Sequence, residues 1–101
     1  MRSRLTLHDE LCEVLGSRYV YFQPPEDLKM NYPCIVYERH GMNDTFADND
    51  IYLKPRQYRI TVIDDDPDSE IVDKISKFHN AKFIRHFVSA NLNHDIFDIY
   101  Y

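Results

Sequence analysis

Between residues 57 and 78 the apolar side chains change their period once, and that change constrains the architecture more than any other stretch. Tyr58, Ile60 and Val62 alternate with Gln57, Arg59 and Thr61, the two-residue period of a strand with one buried face. Beyond Asp64, Asp65, Asp66 and Pro67 the spacing of Ile71, Val72, Ile75 and Phe78 is helical. The centre of the chain therefore reads as strand, acidic turn, helix. Asp66 is placed to cap the helix, because its carboxylate can accept first-turn N–H groups while Pro67 sits where no N–H is needed. Asp68 and Glu70 then fall near the positive end of the helix dipole, and Lys74 and Lys77 near the negative end.

On the N-terminal side, Leu7, Leu11, Val14 and Leu15 predict an amphipathic helix over residues 6–15, with Thr6 or Ser3 as cap and Gly16 as the stop. A short strand over 19–22 ends at Pro24 and Pro25, which cannot donate to a ladder. Pro33 opens a further strand over 34–39. On the C-terminal side, residues 82–88 alternate Phe83, Arg85 and Phe87 against Ile84, His86 and Val88. A turn over 89–93 leads to a last strand over 96–101, with Phe97, Ile99 and Tyr101 on one face and the end of the chain tied into the sheet. The expected fold is a single α+β domain over residues 1–101. It has a small, mainly antiparallel sheet of about four to five strands, with two helices packed on one face.

Residues 41–55 follow no period. A connection of this length is unusual where loops run to about 4–6 residues. Its turn formers are punctuated by Met42, Phe46, Ile51, Tyr52 and Leu53. Two readings stand: a bare hairpin tip, or an arm that orders on another subunit with those five residues as anchors.

Charge and composition narrow the function. The net charge is -5. Six acids crowd residues 64–73, and Asp44, Asp48 and Asp50 share one loop, while no cluster of Lys and Arg exists. Tight nucleic-acid binding by phosphate neutralisation is disfavoured. No apolar run is long enough to cross a bilayer, and the early His8, Asp9 and Glu10 interrupt any apolar leader, so an unexported, non-membrane protein is expected. Cys12 and Cys34 are then expected to be reduced.

Chemistry finds little to stand on. Asp64, Asp65, Asp66, Asp68 and Glu70 could attract a divalent cation, but a calcium loop wants a glycine at its bend, none is present there, and capping accounts for the acids. The five histidines lack metal-binding spacing, and two glycines cannot build a phosphate loop or a dinucleotide fingerprint. No enzyme, cofactor or metal is expected.

One comparison goes further. The runs Tyr21, Phe22, Gln23, Pro24, Pro25, Glu26 and Tyr32, Pro33, Cys34, Ile35, Val36, Tyr37, Glu38 are joined by Tyr58 to Asp64 and by Asp66, Pro67, Asp68, Ser69, Glu70. Together with residues 91–97 they make the chain resemble the tail completion, or tail terminator, proteins of tailed bacteriophages and prophages. That resemblance implies a structural virion protein of the neck, assembled in the bacterial host cytoplasm. Such a protein forms a ring, six-membered in the family, that caps the head-proximal end of the tail tube and meets the head connector protein. It also gives the acids a use: Asp44, Asp48, Asp50, Asp64 and Asp65 would face a lumen or a neighbouring ring and repel passing DNA. A connector or tube subunit is close in size and acidity. An adaptor domain without ring assembly and a small metal-dependent enzyme are the alternatives.

Overall fold

The computed structural model describes residues 4–42, 56–78 and 80–101. Among them the chain runs α1 (Arg4–Leu15), β1 (Val20–Phe22), β2 (Cys34–Met42), β3 (Arg56–Asp64), α2 (Glu70–Ser76), β4 (Ala81–Ser89) and β5 (Leu92–Tyr100). The strands form one sheet in the order β1-β2-β3-β5-β4. β1 joins β2 in parallel, and the other three pairings are antiparallel. The expected α+β architecture is present.

Alternation in β3 places its core. Tyr58, Ile60 and Val62 are buried, and so are the partners that extend this face: Ile60 lies opposite Tyr37 of β2 and Phe97 of β5, Tyr58 opposite Ile99, and Val62 opposite Ile35. Residues directly opposite one another share a sheet face. Leu7 and Leu11 of α1 and Ile71 and Ile75 of α2 belong to the same buried cluster, so both helices cover that one face. Full burial of each such side chain contributes about 2 kcal/mol.

Tyr37 ties α1 to this layer. The phenol is fully buried, accepts a hydrogen bond from Arg4 Nη1 at 3.2 Å and lies 2.8 Å from His8 Nδ1. Burial pushes its pKa up, partly offset by Arg4. At the other end of the chain the Tyr101 N–H donates to the Arg56 carbonyl, and the Tyr101 hydroxyl donates to Glu10 of α1 at 2.7 Å.

Several boundaries differ from the periodic reading, each for a local reason. α1 begins at Arg4, which puts Thr6 inside the helix rather than at its cap. It stops at Gly16 as expected, where φ of +78° suits a residue without a Cβ. α2 starts later than the acids suggest. Asp64 Oδ1 accepts from the Asp66 N–H and Asp66 Oδ1 from the Asp68 N–H, so both carboxylates hold the turn. The cap is instead Ser69, whose Oγ accepts from the Ile71 N–H. Glu70 keeps its first-turn place, Asp68 does not, and Lys77 is the C-cap. Phe78 packs on the core from just beyond the helix.

In β4 the simple alternation fails. Phe83 pairs with Phe97 and Arg85 with Ile96, leaving Ile84 as the extra residue of a bulge. The bulge moves Arg85 and Phe87 to the face opposite Phe83. The broad turn expected before the last strand is tight: Ala90 and Asn91, at φ of +54° and +63°, reverse the chain, and β5 starts at Leu92.

Candidate functional site

The two described helices cover one face of the sheet, which leaves the other face and the edges to be examined. On the second face, Ile63 opposes Cys34 and His94, Thr61 opposes Val36 and Ile96, and Arg59 opposes Glu38 and Asp98. Its organising group is Asp98. The carboxylate is bound bidentately by Arg59, with Nε at 2.9 Å and Nη2 at 3.1 Å, and it accepts from Gln57 Nε2 at 3.0 Å. Burial opposes its ionisation, but Arg59, His40 and Gln57 outweigh burial and hold the carboxyl below the ordinary aspartate value. This pair is a rigid strut across β3 and β5. All the carboxylate's described partners lie in the fold, so it has the character of a structural ion pair rather than of a general acid or base.

Farther along the same face the Phe87 and His94 rings stack, 4.6 Å between centroids and 11° from parallel. The Arg85 guanidinium lies 4.7 Å from the Phe87 ring centroid. Cys34 is buried under this face. Burial, reinforced by Asp64, pushes its thiol up to about 11, which keeps it protonated and unreactive at neutral pH.

The edge of the sheet is the more telling region. β4 is the outermost strand beside β5, so one row of its backbone N–H and C=O groups has no partner strand among the described residues. No residue of β4 is fully buried. Phe83, Ile84 and Val88 are 52%, 36% and 61% exposed, three of the six large apolar side chains that the described residues leave exposed. The strand carries Lys82 and Arg85 and no acid, within a chain of net charge -5.

The acidic turn sits at the other end of β3. Asp64 is buried, its carboxylate committed to the turn and its carbonyl accepting from Asn93 Nδ2 at 3.3 Å. Asp65 beside it is exposed. Among the described residues no group of three or more His, Cys, Asp or Glu is arranged to hold a metal ion. No described helix is long and apolar enough to cross a membrane.

Of the arm residues, Met42 ends β2, paired with Arg56, and its side chain is outside what the structure describes. Phe46, Ile51, Tyr52 and Leu53, and the acids Asp44, Asp48 and Asp50, lie outside the described residues. Periodicity missed the β4 edge and the Asp98 pair. A signal for the edge did exist: a strand, a helix and a second strand followed by a tight hairpin lets the hairpin's return strand fill the gap, which leaves the second strand outermost. Compared with protein-family models, curated proteins and solved structures, the chain matches none.

Proposed function

We propose that this chain is a structural assembly subunit of a tailed-phage neck, a ring that closes the head-proximal end of the tail tube and contacts the head connector. The observation that carries the assembly part is β4: a nine-residue edge strand presenting Phe83, Ile84 and Val88 to solvent is surface suited to a protein partner. The phage part rests on the resemblance of residues 21–26, 32–38 and 58–70 to tail terminator proteins. Met42, Phe46, Ile51, Tyr52 and Leu53 serve in this reading as contacts between subunits. Asp44, Asp48, Asp50 and the exposed Asp65 serve as lumen or ring-facing charges, with Asp64 holding the turn that presents Asp65.

The test is addition of the purified chain to tail tubes of the tube protein from the same gene module, followed by electron microscopy. A cap at one end of the tubes and an arrest of tube growth are the expected result. Tubes that stay bare and keep growing would overturn the phage assignment.

A further inference from the structure

We propose that the outer edge of β4 receives an extended acidic segment of a different protein, which adds to the sheet as a further strand with its carboxylates on one face and apolar side chains on the other. The inference deepens the assembly reading above and rests on it, but not on the phage assignment.

The bulge at Ile84 gives this edge two chemically distinct faces. Phe83 lies opposite Phe97 and Val88 opposite Asn93, residues four apart on β5, so both belong to the face that carries the helices. Lys82 lies opposite Asp98 and Arg85 opposite Ile96, which puts both cations on the second face. Unbroken alternation over residues 82–88 would have split each pair, since the members of each are an odd number of positions apart. Between them, His86 and Phe87 are engaged within the chain: His86 Nε2 lies 3.1 Å from Asn93 Oδ1, and Phe87 stacks on His94. What β4 offers a partner is therefore apolar on one face and basic on the other.

Charge and length select the occupant. Strand addition satisfies an open row of backbone groups, and alternate side chains supply the specificity. A strand with carboxylates beside Lys82 and Arg85 and apolar groups beside Phe83 and Val88 matches both faces, whereas a basic strand meets like charge. Within a chain of net charge -5, β4 carries cations and no acid. An acidic partner is thus attracted here and repelled by the net charge of the rest, which selects this edge. The described strands of a second copy do not supply the match. β1, at the opposite edge, is three residues long and uncharged. β4 against β4 across a two-fold axis, overlapped over its whole length, sets Arg85 opposite Arg85 of the partner subunit with no carboxylate on either strand. The occupant is accordingly a different protein, and self-association through β4 is an outcome the experiment can return.

The experiment titrates the full chain against two labelled nine-residue peptides, matched to the nine residues of β4, one alternating Glu and Val and the other Lys and Val, with fluorescence anisotropy as the readout. Circular dichroism confirms the fold of every variant. The acidic peptide is expected to bind roughly tenfold tighter than the basic one or more, and Lys82→Glu with Arg85→Glu is expected to reverse that order. Phe83→Thr with Val88→Thr tests the apolar face separately, with an expected weakening of roughly tenfold. Amide hydrogen exchange localises the contact: protection over residues 81–89 rises as the acidic peptide is added. Failure of the acidic peptide to bind, equal binding of the two peptides, a preference that charge reversal leaves in place, or unchanged β4 exchange would each overturn the inference. So would β4 protection that rises with the concentration of the chain alone, since a second copy is then the occupant. Tube capping could still succeed after any of these failures, and bare tubes could accompany a peptide that binds as expected, which separates this inference from the phage assignment.

Discussion

β3 and β4 each run nine residues and lie parallel to one another with β5 between them, yet they meet opposite surroundings. β3 is paired on both sides and buries Tyr58, Ile60, Val62, Ile63 and Asp64. Among the described residues β4 is paired on one side, and it buries none of its own residues fully, although Phe83, Ile84, Phe87 and Val88 make it as apolar as its counterpart. Composition does not separate the two. Position does: the inner strand is flanked by two ladders and roofed by helices, whereas the outermost strand has a single ladder among the described residues. The same apolar alternation therefore signals core in one place and an exposed edge in the other.

The contrast breaks down if β3 tolerates truncation, and that substitution carries the largest expected effect. Ile60→Ala should cost about 3–4 kcal/mol, measured by urea unfolding, because Ile60 is enclosed by both neighbouring strands and the helices. Asp98→Asn comes next. It should cost about 2 kcal/mol by weakening a charge-assisted, bidentate bond to Arg59 in a nearly buried site.

The same carboxyl gives a pH test. Its folded pKa lies below the unfolded one, so its contribution is complete above about pH 4, the ordinary aspartate value. That contribution is lost as pH falls through the lower folded value. Unfolding curves against pH should show a shallower acid loss in Asp98→Asn than in the wild type, and identical slopes would remove the pair from the account.

A smaller effect of opposite sign is expected at the hairpin that creates the edge. Ala90 holds a φ of +54° that a Cβ resists, so Ala90→Gly should raise stability by about 1 kcal/mol in thermal melts. The smallest effect sharpens the comparison: Val88→Thr should move the stability of the dilute single subunit by less than about 0.5 kcal/mol, since Val88 is 61% exposed. A large loss there would show that β4 is already covered within one subunit.

Periodicity was a good guide wherever side chains meet the core. Tyr58, Ile60, Val62, Ile71 and Ile75 announced the central strand and helix because burial itself imposes their spacing. It was a poor guide where backbone polar groups decide. Asp66 has the chemistry of a cap, but its carboxylate accepts from the Asp68 N–H and holds the turn, and the cap passes to Ser69. The bulge at Ile84 hides for the same reason: a one-residue slip leaves the local pattern intact while exchanging the faces of everything after it. The Asp98 pair joins residues 39 positions apart, a separation that no local spacing encodes.

The place of β5 has a consequence for how the chain is made. Synthesis delivers β3, then α2, then β4, and only afterwards the strand that belongs between β3 and β4. Until β5 leaves the ribosome, neither β3 nor β4 has the neighbour that lies between them in the finished sheet. Pairing β5, alone or as a hairpin with β4, onto β3 is therefore a late, long-range event. In that interval the half-built sheet is open to the chaperones of the cell in which it is translated.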